Sequence, residues 1–270
     1  MTNLRQIAII AGSGKFPLLV AKAAKSNNLK VITLSIISSA DKKMEVVGDK
    51  NYWIELGQGK QLLDIMKKEG VTHAVMAGKI NKSTIIRQSV RLDQEAKNIL
   101  SRVRDKKDDT ILSAVAGRLR DFNIELLDST LFLKGFMSER GTMTRKPLSK
   151  IHLQDIRFGL SIAKNMGSLD IGQSVIIKDR AVIAVEAIEG TDEAIKRAGQ
   201  LVGEGCVVVK VSKPAQDMRF DVPVVGLETI KAMKFSGASV LALEAGKVLM
   251  LEKSDMIQEA EKIGLSIVGV

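Results

Sequence analysis

Short apolar runs alternate with amphipathic segments along the first half of this 270-residue chain. The apolar runs predict strands at Gln6–Ala11, Val31–Leu34, Tyr52–Leu56, Thr72–Ala77 and Ile124–Leu127. The segments between them predict helices at Leu18–Lys25, Lys60–Glu69, Leu92–Arg104 and Thr110–Phe122. Because such alternation is typical of a doubly wound parallel sheet, residues 1–137 are predicted to form a Rossmann-like amino-terminal α/β domain.

A glycine-rich turn follows the first predicted strand. Gly12 and Gly14 flank Ser13, and Lys15 precedes the next predicted helix. Glycines there let backbone amides approach a phosphate, to which the helix N-terminus and the lysine add positive charge. Since Pro17 occupies the third glycine position of a dinucleotide fingerprint, the pattern favours a nucleotide phosphate over a plain turn without defining a dinucleotide site.

A second basic loop, Gly78–Lys82, follows the predicted strand Thr72–Ala77. Open α/β sheets bind their ligands at the carboxyl ends of their strands. Lys79, Asn81 and Lys82 are therefore candidates for binding an anion, and the alternative is an ordinary solvated loop.

The pattern changes after residues 138–150, which are rich in turn residues and predict a linker. Beyond them the sequence predicts two helices, a hairpin and a buried strand, at His152–Met166, Glu193–Leu201, Val175–Ile177 with Ala181–Val185, and Val207–Val211. Residues 151–270 are therefore predicted to form a carboxyl-terminal α/β domain with a mixed sheet.

Three carboxylates follow the second strand of this hairpin. Glu186, Glu189 and Asp192 recur at every third residue, so they could converge on a hard cation or a phosphate-bound metal. The alternative is that acidic residues favour the first turn of any helix because they complement its dipole. The spacing leaves both interpretations open.

Charge separates the two halves of the chain. Residues 1–147 carry 26 Lys and Arg against 15 Asp and Glu, whereas the remaining residues carry 15 against 16. A basic half suits anionic ligands such as nucleotides, or an acidic membrane surface. Aromatic residues make up only 3% of the chain, so stacking platforms are scarce and nucleic-acid binding is disfavoured.

Cysteine content and hydropathy indicate the compartment. Cys206 is the only cysteine, so no intramolecular disulfide can form and a reducing cytoplasm is expected. No apolar run approaches the ~20 residues that a membrane span requires. The sequence thus predicts a protein that is cytoplasmic, or peripheral at a membrane.

Longer motifs carry a family resemblance. They are Lys213–Gly226, Val185–Asp192 and Leu169–Gln173 in the second half, with Ile10–Pro17 and Ala77–Lys79 in the first. In order and spacing, over essentially the whole chain, they resemble the UDP-2,3-diacylglucosamine pyrophosphatases of the LpxI type. The carboxyl-terminal motifs are long and specific, whereas the glycine turn alone would mean little.

The resemblance implies a Mg²⁺-dependent hydrolase of lipid A biosynthesis. It would split the pyrophosphate of UDP-2,3-diacylglucosamine into UMP and 2,3-diacylglucosamine 1-phosphate (lipid X). Asp221 matches the family motif as the catalytic candidate, either binding the metal or orienting the water. The candidate metal ligands are Glu186, Glu189, Asp192 and Asp217. The candidate substrate-binding residues are Gly12, Ser13, Gly14, Lys15, Lys79, Asn81, Thr191, Lys213, Gln216 and Arg219.

Two other classes of function stay open at this point. One is a non-catalytic nucleotide- or lipid-responsive binding module, in which the carboxylates only cap helices. The other is a transferase that uses the same substrate half. The expected partners are an acylated UDP-sugar and the inner-membrane surface, with a homodimer as a further hypothesis.

Overall fold

The computed structural model describes residues 4–80, 90–101, 103 and 108–270. The chain divides into two compact units. The first unit comprises the residues up to Leu133 together with Asp217–Asp221. The second comprises Lys134–Gln216 and Val222–Val270. Residues 138–150, predicted as a linker, belong to the second unit, where Gly141–Thr142 forms a short strand.

The first unit is built on a five-stranded parallel sheet of order β3-β2-β1-β4-β5. Its strands are β1 (Gln6–Ala11), β2 (Lys30–Ile36), β3 (Lys50–Ile54), β4 (His73–Ala77) and β5 (Glu125–Leu126). Its helices are α1 (Phe16–Ser26), α2 (Met44–Val47), α3 (Gly59–Lys68), α4 (Gln94–Ser101) and α5 (Asp108–Asp121). The prediction of a Rossmann-like parallel sheet is confirmed.

The order of this sheet positions a ligand-binding edge. The chain adds β2 and β3 on one side of β1 and then β4 and β5 on the other. The strand order therefore reverses between β1 and β4, and such a switch point is where open α/β sheets bind ligands beyond the carboxyl ends of the strands.

The second unit contains a mixed six-stranded sheet of order β6-β13-β11-β9-β7-β8. These strands are β6 (Gly141–Thr142), β7 (Ser174–Lys178), β8 (Ala181–Val185), β9 (Val207–Lys210), β11 (Val240–Leu243) and β13 (Ser266–Gly269). A separate parallel pair consists of β10 (Val224–Val225) and β12 (Leu249–Met250). The helices are α6 (Lys150–Ser168), α7 (Thr191–Val202), α8 (Leu227–Ser236) and α9 (Lys253–Lys262). The predicted mixed sheet is confirmed.

Both faces of this mixed sheet are covered. Along β9, Val207 and Val209 pack in the core on the α6 side, whereas Val208 packs in the opposite core. A central strand that is buried on both faces is typically a continuous apolar run, as Val207–Val209 is in β9. Gly159 lets α6 approach closely, because an added Cβ would lie 2.7 Å from a methyl carbon of Val209.

Strand direction gathers polar residues at one edge of the mixed sheet. Strands β9, β11 and β13 are parallel, and β7 runs antiparallel between β9 and β8. The ends of β8, β9 and β11 therefore meet the start of β7 at one edge, which is called the second carboxyl edge below. Within the described ranges, no helix combines the length and apolar character needed to cross a membrane.

Candidate functional site

In the first unit, the turn that contains Gly12 and the turn that contains Gly78 are hydrogen-bonded to each other at the switch point. They are called the two glycine turns below. The Ser13 amide donates to the Lys79 carbonyl at 2.7 Å, and the Lys79 amide donates to the Ser13 carbonyl at 3.2 Å. The amide of Gly12 donates to the carbonyl of Ala77 at 2.8 Å. The structure thus brings the predicted residues Gly12, Ser13 and Lys79 together. Asn81 and Lys82, predicted beside them, lie outside the described residues.

Close approach of these turns explains two of the glycines. A Cβ on Gly12 would lie 2.6 Å from the Lys79 carbonyl oxygen, and one on Gly78 would lie 2.5 Å from the Ser13 carbonyl oxygen. Gly78 also has a φ of +87°, which favours glycine. Gly14 has a φ of +91°, yet a Cβ there would meet no atom within 4 Å.

The first turn of α1 suits an anion. The helix follows Lys15 directly, has a proline in its first turn and carries no acidic residue there. Among the described residues, no side chain caps this end of the helix. The amides of Phe16 and Leu18 can therefore serve as donors, since Pro17 between them has no amide hydrogen, and the helix dipole adds positive potential beside the Gly12–Lys15 turn.

The segment Asp217–Asp221 belongs to the first unit, although its sequence lies in the second half of the chain. The amide of Ser129 donates to the Met218 carbonyl at 3.0 Å, and its hydroxyl donates to the Arg219 carbonyl at 2.8 Å. Phe220 packs against the core of the first unit. Ser129, which follows β5, thus anchors this segment to the first unit. No sequence pattern around Ser129 predicts that it does so.

Asp217 and Arg219 form an ion pair inside this segment. The guanidinium donates two bonds to the carboxylate, the shorter at 2.6 Å. These bonds hold the pKa of Asp217 below its ordinary value, although partial burial acts in the opposite direction. Backbone amides within the segment also bond back to Asp217, including that of Asp221 at 3.1 Å. These bonds therefore order the segment that contains Asp221, the catalytic candidate.

In the second unit, Lys210 forms a buried cluster at the second carboxyl edge. Its ammonium donates to the hydroxyls of Thr191 at 2.7 Å and Ser174 at 3.2 Å, and lies 3.5 Å from a Glu186 carboxylate oxygen. The hydroxyl of Thr191 also donates to Glu186 at 2.8 Å. These four residues, named the Lys210 cluster, include the predicted Glu186 and Thr191 but add Lys210 and Ser174.

The charge state of Glu186 follows from these contacts. Burial opposes its ionisation, but the Lys210 ammonium and the hydrogen bonds from Ser174, Thr191 and the Gln173 amide outweigh burial. Its pKa is consequently held below the ordinary value, and the residue is a carboxylate at neutral pH. The cluster therefore places a buried cation and a buried anion side by side.

A second charged group lies at the same edge. Lys164 on α6 donates to both carboxylate oxygens of Glu244 at 2.7 Å, and the amide and hydroxyl of Ser212 donate to the same carboxylate at 2.7 and 2.8 Å. Burial raises the pKa of Glu244, but Lys164 and Ser212 more than reverse this effect and lower the pKa. This group was not predicted, although the rule that ligands bind at the carboxyl ends of strands would have pointed to Glu244 after β11.

The remaining acidic candidates have separate partners. Glu189 accepts from the Arg197 guanidinium at 2.7 Å, and Asp192 accepts from the Thr229 hydroxyl at 2.8 Å. The structure therefore does not gather them around Glu186. In the part of the chain that is described, no group of three or more His, Cys, Asp or Glu side chains is arranged to hold a metal ion.

Lys213 and Gln216 follow β9. The Lys213 ammonium pairs with Asp170 at 2.7 Å, and the Gln216 side-chain oxygen accepts from the Lys213 amide at 2.9 Å. The predicted site residues thus fall into two groups. The first unit holds the glycine turns with Asp217, Arg219 and Asp221, and the second holds the other candidates.

Fold and site together define an α/β protein whose two larger sheets each present polar groups at a carboxyl edge. A family model described as the LpxI N-terminal domain matches residues 6–136, and one described as the LpxI C-terminal domain matches residues 139–268. The chain therefore belongs to the LpxI family. It is 25% identical to the UDP-2,3-diacylglucosamine pyrophosphatase LpxI of Caulobacter vibrioides over 99% of this chain and 98% of that protein.

Solved structures that are similar to this chain are distant. The biotin carboxylase domain of Hydrogenobacter thermophilus 2-oxoglutarate carboxylase is 11% identical, with a TM-score of 0.29 over 73% of this chain and 41% of that one. Phosphoribosylglycinamide synthetase from Anaerococcus prevotii is 12% identical, with a TM-score of 0.28 over 71% and 40%. The chain spans less than half the length of each, and likenesses at this level carry no argument about function.

Proposed function

We propose that this protein is a hydrolase of lipid A biosynthesis that splits the pyrophosphate of UDP-2,3-diacylglucosamine. The products are UMP and 2,3-diacylglucosamine 1-phosphate. The observation that carries the proposal is the match along nearly the full length of the Caulobacter vibrioides pyrophosphatase, with both family domains in order.

The first unit supplies groups that suit the nucleotide diphosphate. The Gly14 amide and the amides in the first turn of α1 can donate to phosphate oxygens, whereas the amides of Gly12 and Ser13 are engaged by the Ala77 and Lys79 carbonyls, and Lys79 adds positive charge at the switch point. Asp221 is the proposed catalytic residue by its match to the family motif, and it either binds the metal or orients the water. The water oxygen bonds to one phosphorus, the P–O–P bridge breaks, and two phosphate monoesters leave.

Mg²⁺ is the proposed cofactor. The candidate ligands Glu186, Glu189, Asp192 and Asp217 are carboxylates, the hard oxygen ligands that the ion prefers, but among the described residues they are not gathered into one metal site. One or two carboxylates with phosphate oxygens and water are the usual complement at phosphate sites. When bound, the ion would neutralise charge on the non-bridging oxygens. Chelation by EDTA should then abolish UMP release, and Mg²⁺ should restore it.

The decisive experiment uses the purified full-length protein with UDP-2,3-diacylglucosamine and Mg²⁺. We expect release of UMP, and we expect Asp221→Asn to lower kcat by at least about 100-fold while substrate affinity persists. Asp255→Asn is the matched control, because this exposed residue on α9 belongs to neither candidate group. Wild-type turnover in Asp221→Asn would contradict the assignment.

The rival functions give different results in the same assay. Substrate binding without any UMP release would identify a binding module. Release that requires a second acceptor would identify a transferase. A homodimer stays a prediction, which light scattering would test.

A membrane-surface location is proposed from charge. The basic first half of the chain suits acidic lipid, and a substrate with two acyl chains is available at a membrane. Flotation with anionic vesicles should recover the protein at low salt and lose it at high salt, because screening weakens exposed charge contacts. Equal recovery at both salt concentrations would contradict electrostatic attachment.

A further inference from the structure

Ser129 joins two parts of the first unit that are distant in the sequence. Its hydroxyl donates to the carbonyl of Arg219 at 2.8 Å and also to the carbonyl of Met76 on β4. Because a hydroxyl carries one proton, the two carbonyls share it. The Ser129 amide donates to the Met218 carbonyl at 3.0 Å, and the residue is only 1% exposed. Ser129 is therefore a buried link between β4 and the segment Asp217–Asp221.

One side of this link lies at the switch point. Met76 is the residue before Ala77, where β4 ends. The Ala77 carbonyl accepts from the Gly12 amide at 2.8 Å, and the glycine turn that contains Gly78 follows at once. Ser129 thus holds the segment Asp217–Asp221 at the carboxyl end of β4, which is also the edge of the two glycine turns.

The other side of the link ends two residues before Asp221. Phe220, which lies between them, packs against the core of the first unit, and the Arg219 guanidinium carbon lies 5.3 Å from the centroid of its ring. The amide of Asp221 donates to the Asp217 carbonyl at 3.1 Å. The backbone that carries Asp221 is therefore fixed by the Ser129 hydroxyl, by the Phe220 ring and by its own turn.

Ser129 is itself held in place by its neighbours. The Asp128 carboxylate accepts from both the amide and the hydroxyl of Thr130 at 2.7 Å, which forms a tight turn around Ser129. Just before this turn, the Leu127 amide donates to the Ala74 carbonyl at 2.8 Å and extends the pairing of β5 with β4. The amide and hydroxyl of Ser129 are therefore oriented by the sheet and not by the segment that they bind.

We propose that Ser129 is a positioning residue for the hydrolysis, which holds Asp221 at the edge where the glycine turns bind phosphate. This inference rests on the proposed function and on Asp221 as its catalytic residue. Ser129 acts through the backbone of the Asp221 segment and needs no contact with the substrate. A displacement of a catalytic group by about 1 Å can cost roughly 100-fold in rate, so one buried hydroxyl can control turnover.

The first test compares kcat with KM, using purified full-length protein, Mg²⁺ and UDP-2,3-diacylglucosamine. We expect Ser129→Ala to lower kcat per folded molecule about tenfold or more and to leave KM within about twofold, because the amides that bind phosphate remain. Ser266→Ala is the matched control. Ser266 is also fully buried, and its hydroxyl donates to the Lys146 carbonyl at 3.0 Å in the second unit. Its kcat and KM should equal those of wild type.

A second variant guards against loss of folding. Ser129→Cys keeps a side chain of similar size and replaces the hydroxyl with a weak donor. It should lower kcat in the same direction as Ser129→Ala, and it serves as the test if Ser129→Ala does not fold.

Hydrogen exchange provides a readout that needs no substrate. The amides of Phe220 and Asp221 both donate to the Asp217 carbonyl, at 3.3 and 3.1 Å. We expect these two amides to exchange at least about tenfold faster in Ser129→Ala than in wild type, because the segment loses its buried anchor. In Ser266→Ala they should exchange as in wild type.

Each outcome has a separate meaning. Release of UMP by wild type, with an unchanged kcat in Ser129→Ala and Ser129→Cys, would overturn the inference and leave the proposed function standing. A raised KM with an unchanged kcat would also overturn it, because Ser129 would then act on the glycine turn after β4 and not on Asp221. Faster exchange around Asp221 in Ser129→Ala, without UMP release by wild type, would support the anchoring of the segment and contradict the proposed function.

Discussion

The ammonium of Lys210 lies 3.5 Å from a carboxylate oxygen of Glu186, and the two side chains are only 6% and 14% exposed. Burying either charge alone costs several kcal/mol, because neither water nor a counterion then solvates it. The two hydroxyls of the cluster, on Ser174 and Thr191, satisfy further hydrogen bonds of this pair. Each of the two buried side chains therefore needs the other as its counterion.

Removal of one partner should destabilise the second unit strongly. We expect Lys210→Met to lower the free energy of unfolding by about 3 kcal/mol, since it leaves Glu186 as a buried unpaired carboxylate. The double variant Lys210→Met with Glu186→Gln should lose less than the sum of the two single losses, because neither charge remains. Urea denaturation of the four proteins gives these energies.

A surface pair provides the control. Lys231 and Glu228 are 66% and 75% exposed, so Lys231→Met should change stability far less than Lys210→Met does. A loss in Lys210→Met that is no larger than the loss in Lys231→Met would show that the buried pair contributes nothing specific.

Glu244 should make the second unit sensitive to acid. Its pKa is lowered in the folded protein because Lys164 and Ser212 outweigh the opposing effect of burial. A lowered carboxyl pKa contributes stability above the unfolded value of about 4.3, and this contribution is lost as pH falls through the folded pKa. The stability advantage of wild type over Glu244→Gln should therefore be full at pH 7 and shrink in acid.

Urea midpoints measured between about pH 7 and pH 3 test this dependence. Glu193→Gln is the control, because the side chain of Glu193 is 60% exposed on α7. A constant difference between wild type and Glu244→Gln across that range would be inconsistent with ionic stabilisation.

Strands and turns that depend on a short local sequence pattern can be predicted from this sequence. The run beginning at Val207 predicts a strand that the structure shows to be buried on both faces. The turn residues around Asp179 likewise separate two apolar runs, which pair as a hairpin. No element is predicted beyond Pro223, although β11 and β13 lie there. Apolar runs of four residues do not by themselves distinguish a strand from a helix segment.

The site depends on pairing between distant residues. Glu186 and Lys210 meet only because β8 and β9 both flank β7, an order that no local pattern encodes. Spacing by three residues also does not group Glu186 with Asp192. Gly190 separates the turn from α7 with a φ of +87°, and Asp192 then bonds to Thr229.

The position of the segment around Asp221 likewise depends on contacts between distant residues, which local sequence patterns do not predict. The sequence places it in the second half of the chain, whereas the bonds from Ser129 and the packing of Phe220 place it in the first unit. Only the family motif indicates Asp221 as a functional residue.

The contact between the two glycine turns predicts a difference between two similar substitutions. Gly78 and Gly14 have φ values of +87° and +91°, so alanine at either position is strained by about 1–2 kcal/mol. Alanine at Gly78 would in addition place its Cβ 2.5 Å from the Ser13 carbonyl oxygen. We expect Gly78→Ala to be less stable than Gly14→Ala by about 2 kcal/mol, the cost of overpacking. Equal urea midpoints for Gly78→Ala and Gly14→Ala would show that the two glycine turns can move apart without a loss of stability.

The hairpin of β7 and β8 should be open to stabilisation. Its two-residue turn consists of Asp179 and Arg180, whose φ values of 51° and 59° lie in the left-handed region. Buried Asp155 holds this turn by accepting both of their amides, at 3.1 and 2.7 Å. Glycine is the preferred second residue of such a turn because it adopts this conformation without strain.

We therefore expect Arg180→Gly to raise the free energy of unfolding by about 1 kcal/mol. Arg180→Ala is the control, because it removes the same side chain and keeps the strain, and it should give no gain. Asp155→Asn should cost about 1–2 kcal/mol, since the charged acceptor of both turn amides is lost. Urea denaturation of the three variants compares these effects, and a gain in Arg180→Ala equal to that in Arg180→Gly would attribute it to lost charge rather than to relieved strain.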